Sequence, residues 1–150
     1  MMKVKELMST KVYTVSPEDS LDRVVVMFHF NAIRHLPVVE NGKVVGVISD
    51  RDVKKILGPR HTLKVSKIDG SLITVPARKV RTVMNRKLST LGPEDKASDA
   101  AAIMAKRKIG CLPVVRHGRL VGIITSTDIL RAFVKLANEM DQRERRQQSL

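Results

Sequence analysis

The chain has no tryptophan and only four aromatic rings, Tyr13, Phe28, Phe30 and Phe133, so its core must be built from Val, Ile, Leu, Met and Ala. Base-stacking platforms for nucleic acid are correspondingly scarce. The one cysteine, Cys111, excludes an internal disulfide and a zinc framework. The histidines, His29, His35, His61 and His117, have neither an H-x-x-x-H spacing nor a cysteine pairing suited to a metal. A Cys-His nucleophile would need a histidine beside Cys111, and nothing in the sequence places one there. There is no Walker loop and no dinucleotide fingerprint. No apolar run reaches the length of a membrane span, and the start Met-Met-Lys-Val-Lys-Glu lacks the apolar centre of a signal peptide. These absences predict a cytoplasmic protein without membrane contact, not an enzyme, and without metal or cofactor.

What is present is a chain of 150 residues, 43% hydrophobic, which can bury roughly 68–70% of its unfolded surface and so predicts a single compact domain with one core. It is also basic: 28 Lys and Arg against 15 Asp and Glu give +13. A field of that sign favours nucleotides, nucleic acid or an acidic partner. The bases concentrate between Gly58 and Lys87, where Arg60, Lys64, Lys67, Arg78, Lys79, Arg81, Arg86 and Lys87 face Asp69 alone. That stretch reads as a basic linker, with solvation as its ordinary role.

The organising feature is an internal repeat. Gly122-Ile123-Ile124-Thr125-Ser126-Thr127-Asp128 lies 76 residues after Gly46-Val47-Ile48-Ser49-Asp50-Arg51-Asp52, and the same shift lays Val4–Leu57 over Val80–Phe133 without a gap. Met8 falls on Met84, Pro17-Glu18-Asp19 on Pro93-Glu94-Asp95, Leu36-Pro37-Val38-Val39 on Leu112-Pro113-Val114-Val115, and Gly42 on Gly118. Two copies are too few for a solenoid and predict a pair of similar units. The boundaries are repeat 1 over 1–57, a basic linker over 58–79, repeat 2 over 80–133, and a C-terminal helical extension and tail over 134–150.

Within each copy the pattern predicts a short helical lead-in (Val4–Ser9), then a strand at Val12-Tyr13-Thr14-Val15 on β-propensity. A Pro-Glu-Asp turn opens a helix whose stripe is Leu21, Val24, Val25 and Phe28, matched by Ala97, Ala100, Ala101 and Met104. Asn41-Gly42 between apolar runs predicts a hairpin with a type I′ turn, and His117-Gly118 repeats it. The last helix of copy 1 uses Val53, Ile56 and Leu57 and stops at Gly58-Pro59. Its twin uses Ile129, Leu130, Phe133 and Val134 and meets no breaker, so it continues through Ala137 and Met140, with fraying expected over Arg143–Leu150. The class is α+β, each unit being β-α-β-β-α.

Ser49…Asp52 and Thr125…Asp128 sit where a strand runs into a helix. They admit two readings: a capping box, in which hydroxyl and carboxylate satisfy the first backbone N–H groups, or an anion site with a carboxylate placed for ribose hydroxyls.

Together, the Met8/Met84 lead-ins, the Leu-Pro-Val-Val strands with their glycine turns and the Gly-h-x-Ser/Thr-x-x-Asp ends resemble the tandem CBS domain pair, or Bateman module, named after cystathionine β-synthase. The resemblance covers Val4–Leu57 and Val80–Phe133. It implies two repeats packed sheet to sheet about a pseudo-twofold axis, with adenine nucleotides held in clefts between them. It further implies that Asp52 and Asp128 hold ribose hydroxyls and that Ser49 and Thr125 lie near phosphate. Val47 and Ile123 would lie against adenine, with Ile33, Arg34 and His35 and their counterparts Ile109, Gly110 and Cys111. Tyr13 fits beside the Asp128 site, and Arg34, His35 and Arg51 are the cations assigned to phosphate, where copy 2 offers Gly110, Cys111 and Thr127. Cys111 reads equally as an inert buried thiol. The expected function is that of a stand-alone regulatory sensor of an adenine nucleotide, AMP first, then ADP and ATP. It would form a homodimer through the last helix and act on a partner enzyme or transporter. The alternatives are association with nucleic acid through the basic linker, and service as a non-catalytic subunit of a separate enzyme.

Overall fold

A computed structural model of the chain describes residues 1–57 and 75–150. The helices are α1 (Val4–Leu7), α2 (Leu21–Asn31), α3 (Asp50–Leu57), α4 (Ala97–Arg107) and α5 (Ser126–Gln148), with a 3-10 turn at Val80–Thr82. The strands are β1 (His35–Glu40), β2 (Lys43–Ser49), β3 (Cys111–Arg116) and β4 (Arg119–Thr125). The class is α+β and the two repeats are evident in the order of elements.

The described chain forms two compact units, each with its own core, in place of the single core expected. The first-repeat unit holds Val12–Leu88 and Gly118–Leu120; the second-repeat unit holds Met1–Lys11, Ser89–His117 and Val121–Leu150. In the first, Leu21, Val24, Val25 and Phe28 of α2 are buried against Leu36 and Val38 of β1, Ile48 of β2, and Val53 of α3. In the second, Ala100 and Met104 of α4 meet Leu112, Val114 and Ile124. The helical stripe read from the sequence is therefore the buried one, except that Ala101 is only half-buried.

The repeats and the units do not coincide, because each repeat's lead-in belongs to the other's unit. Val4 is fully buried in the second core and Val80 in the first. The contacts are equivalent under the 76-residue shift. Val4 N–H donates to the Asp95 carbonyl (2.8 Å) and Lys5 N–H to that of Pro93 (3.0 Å); likewise Val80 N–H donates to Asp19 (2.8 Å) and Arg81 N–H to Pro17 (3.0 Å). Ion pairs fasten the same joints: Lys3 and Lys5 reach Glu94 at 2.7 and 2.9 Å, and Lys79 and Arg81 reach Glu18.

Hydrogen bonds from Lys3 and Lys5 hold the Glu94 carboxyl at about 2, below its ordinary 4.5. A depressed carboxyl contributes stability above its unfolded value and loses it as pH falls through the folded one. The fastening at Glu94 should therefore be fully present above about 4.5 and be lost towards about 2. A carboxyl-carbon NMR titration should show Glu94 with the low midpoint, and Lys3→Ala/Lys5→Ala should return it to the ordinary carboxylate range. An ordinary midpoint in the parent would mean that the pairs do not persist.

The strand expected at Val12–Val15 shrinks to one bridging residue. Val15 N–H donates to the Pro37 carbonyl (3.1 Å) and Val39 N–H to that of Val15 (2.8 Å); Leu91 does the same with Pro113 and Val115. A parallel ladder would continue through an N–H at residue 37 towards Tyr13 and an N–H at residue 17 towards Val39. Both are prolines and have no N–H to give. Pro113 and Pro93 remove the matching donors in repeat 2. The hairpin turns are as expected: Asn41 and Gly42 have φ of 52° and 78°, and His117 and Gly118 have the same values.

Helix α5 runs unbroken to Gln148 in place of the expected fraying from Arg143. No glycine or proline interrupts it, and Arg145 and Arg146 in its last turn face the negative end of the helix dipole.

Candidate functional site

Each repeat ends its last strand in a hydroxyl residue that turns directly into a helix. At the start of α3, Ser49 N–H and Oγ both donate to Asp52 Oδ2 (2.9 and 2.8 Å), while Asp52 N–H donates back to Ser49 Oγ (3.1 Å). At the start of α5, Thr125 N–H and Oγ1 donate to Asp128 Oδ2 (2.8 and 3.0 Å), and Asp128 N–H returns to Thr125 Oγ1 (3.4 Å). Both are capping boxes, so the local reading of these residues holds.

The caps use only part of each carboxylate. The bonds that each carboxylate accepts within its cap converge on Oδ2, and among the described residues Oδ1 of Asp52 and of Asp128 accepts none. An ionised carboxylate has about four lone-pair sites, so each aspartate can cap its helix and still accept from a ligand. Capping and ligand binding are thus not competing roles here.

Backbone bonds tie the segment before each hairpin to the same place: Asp50 N–H donates to the Arg34 carbonyl and Ser126 N–H to that of Gly110, both at 2.9 Å. The β1–β2 register then sets His35 opposite Ser49. His35, Ser49 and Asp52 are half-buried, while Arg34 and Arg51 are exposed and form no ion pair among the described residues. Burial lowers the His35 pKa from 6.5, with Arg34 adding to the effect against the opposing charges of Asp52 and Asp50. Burial therefore works against the charged imidazole that a phosphate-binding role for His35 calls for.

In the second-repeat unit the corresponding group is Cys111, Thr125 and Asp128, with Thr127 exposed in the first turn of α5. Burial, with the Asp128 charge nearby, pushes the Cys111 thiol up to about 12. It is buried and stays a protonated thiol at neutral pH. Ile33 and Ile109 pack against the first and second cores respectively. Tyr13 is exposed and belongs to the first-repeat unit, whereas Asp128 belongs to the other.

Val47 and Ile123 have neighbours that the sequence did not reveal. Val47 exchanges backbone bonds with Asn85 (3.0 and 2.8 Å), and Ile123 with Ser9 (2.9 Å each way), so the lead-in of the opposite repeat runs beside each. The signal was the identity of Met8 and Met84, which marks the segments but not the unit that receives them.

Of the linker bases, Lys79 and Arg81 are engaged by Glu18, while Arg78, Arg86 and Lys87 are exposed. Arg60, Lys64 and Lys67, like the Gly58-Pro59 helix stop, lie outside the described residues. Among the described residues no cluster of His, Cys, Asp or Glu could hold a metal ion, and no helix is long and apolar enough to cross a membrane.

Comparison with known proteins matches a family model for the CBS domain twice, over residues 4–58 and 80–135. A CBS domain-containing protein of Dictyostelium discoideum is 31% identical over 135 residues, 89% of this chain and 92% of that protein. Protein MJ1404 of Methanocaldococcus jannaschii is 31% identical over 136 residues, but there the chain spans only 32% of the relative's length. Among solved structures, the CBS domain pair of protein MJ0100, in complex with 5′-methylthioadenosine and S-adenosyl-L-methionine, superposes with a TM-score of 0.75 at 28% identity, covering 90% of this chain and 98% of that one.

Proposed function

Because the chain belongs to the CBS domain family, we propose that it is a regulatory module, not an enzyme, that binds an adenosine-containing ligand at its two helix starts. AMP is the first candidate, then ADP and ATP. The observation that carries this reading is the open Oδ1 of Asp52 and Asp128, each fixed by a capping box at the positive end of a helix. A carboxylate held there accepts the two hydroxyls of a ribose, and the side chains of Arg34 and Arg51 meet phosphate on the first-repeat side. Val47 and Ile123 offer apolar surface for adenine. The complex of a 28% identical CBS pair with two adenosyl compounds supports the ligand class.

A thermal-shift panel of AMP, ADP, ATP, NAD and S-adenosylmethionine tests the reading. A ligand that binds only the folded state at 100 times its Kd adds about 2.7 kcal/mol of stability. One member of the panel should raise the melting temperature in a concentration-dependent way; a flat response to all five would remove the proposal.

The same reading makes the protein a cytoplasmic homodimer that signals to a separate enzyme or transporter. Helix α5 leaves Leu130, Phe133, Val134 and Met140 each more than half exposed, an apolar face of the kind that marks an interface. Light scattering at micromolar concentration should give twice the 16.8 kDa chain mass; a monomer would sink the dimer. Nucleic-acid association draws less support, since two of the linker cations are already held by Glu18.

A further inference from the structure

The two lead-ins carry different polar groups at one matched position. Asn85 pairs directly with Val47 and Ser9 with Ile123, each through two backbone bonds of an antiparallel bridge. Residues so paired project from the same face of the sheet, as does the residue two further along the strand. That residue is Ser49 in one unit and Thr125 in the other, so Asn85 and Ser9 share a face with the hydroxyls that bond Asp52 and Asp128. The step from Ser49 to Asn85 is two residues along a strand and one strand across, about 7 Å by about 5 Å, which a nucleoside spans from ribose to base edge. We propose that Asn85 makes the site in the first-repeat unit selective for adenine, while Ser9 leaves the site in the second-repeat unit open to a 6-oxopurine nucleotide as well. This rests on the nucleotide reading given above and names the edge of the base that each site reads.

The Asn85 amide is oriented by its own chain. Lys87 N–H donates to Asn85 Oδ1 at 3.0 Å, and because only the oxygen can accept, this bond fixes which way the amide faces. Among the described residues Nδ2 donates to nothing, and Oδ1 keeps a second lone pair. An amide with a donor and an acceptor free side by side matches the edge of adenine, where N6 donates and N7 accepts. In a 6-oxopurine an oxygen replaces the N6 amino group. It would meet Oδ1 acceptor against acceptor, and a polar pair would be lost. A site built on hydrogen bonds of fixed polarity rejects the analogue that reverses one of them. Ser9 imposes no such polarity. Its hydroxyl donates to the Lys11 carbonyl over 3.4 Å, a long bond that rotation gives up readily, and a hydroxyl can then donate or accept, so it serves either base. Both side chains are exposed and so open to a ligand.

AMP and IMP share ribose and phosphate, so the ratio of their dissociation constants isolates the base edge. Calorimetric titration into Asp128→Ala protein, where the Asp52 site remains, should find AMP bound about tenfold or more tighter than IMP, the discrimination of a bidentate base contact. In Asp52→Ala protein, where the Asp128 site remains, the two nucleotides should bind nearly alike. Exchanging the residues should exchange the behaviour: Asn85→Ser added to Asp128→Ala removes the preference, and Ser9→Asn added to Asp52→Ala creates one. Each exchange installs a residue that the other lead-in already carries at that place, and a thermal melt checks that the variants are folded. A merely structural role would weaken AMP and IMP together and leave their ratio unmoved. An equal ratio at the two sites, or one that Asn85→Ser does not change, would overturn the inference and leave the nucleotide reading intact. If Asp128→Ala protein binds neither nucleotide while Asp52→Ala protein binds AMP, the first site takes no purine and the inference falls, with the second site still a nucleotide site. Only if the parent binds neither does the nucleotide reading fall with it.

Discussion

Replacing Gly122 by alanine should lower the stability of the protein by about 1–3 kcal/mol, the range for forcing an extra carbon into a filled site. A Cβ at this position would stand 2.7 Å from Met8 Sδ and 3.0 Å from the Ser9 carbonyl oxygen. The sulfur can swing away. The carbonyl cannot, because Ser9 and Ile123 exchange both backbone bonds at 2.9 Å. Gly46 faces the equivalent pair, Met84 Sδ at 2.9 Å and the Asn85 carbonyl at 3.0 Å, and Gly46→Ala should cost a similar amount. Both glycines are therefore required by the close approach of a lead-in from the opposite repeat. Gly92→Ala is the control, since its nearest neighbour would be an ordinary contact at 3.6 Å. Combining Gly122→Ala with Met8→Ala should recover part of the loss, the coupling expected of two groups that touch. Thermal melts resolve this, at about 2–4 °C per kcal/mol for a chain of this size. If Gly122→Ala melts like Gly92→Ala, the lead-in does not pack as described.

That packing also marks where the sequence ceased to be legible. Local chemistry was readable: Asn41-Gly42 and His117-Gly118 turn as their residue types require, and the α2 stripe is buried as its spacing implies. The repeat exposed every paired element at once. What it could not show is which unit receives Met8 or Met84, because a 76-residue identity is the same whether each lead-in packs on its own repeat or on the other. Propensity misled at Val12–Val15, where β-branched residues favour a strand but prolines at 17 and 37 remove the bonds on either side of Val15. Spacing was also silent on the burial of His35, which disfavours its charged form. The candidate site was legible as a set of residue types. That the capping box takes only one oxygen of each aspartate became visible only in the geometry.

The open oxygens lead to the largest expected effect on binding. Removing either aspartate has two separable consequences. The lost cap should cost about 0.5–2 kcal/mol of stability with or without ligand, as cap deletions do. The lost ligand contact should remove roughly 1.5–3 kcal/mol of binding, the value of a hydrogen bond to a charged group, or about ten- to a hundredfold in affinity. Calorimetric titration of AMP into Asp52→Ala and Asp128→Ala, each first shown to be folded, should therefore find at least one weakened tenfold or more, and the double variant without measurable binding. Asparagine sharpens the comparison: Asp52→Asn and Asp128→Asn keep an oxygen for the cap but lose the charge and gain two donors where acceptors stood. They should melt closer to the parent than the alanine variants do, yet bind AMP little better. Should both alanine variants melt lower while binding as the parent does, Oδ1 has no ligand partner and the aspartates serve only the helices they begin.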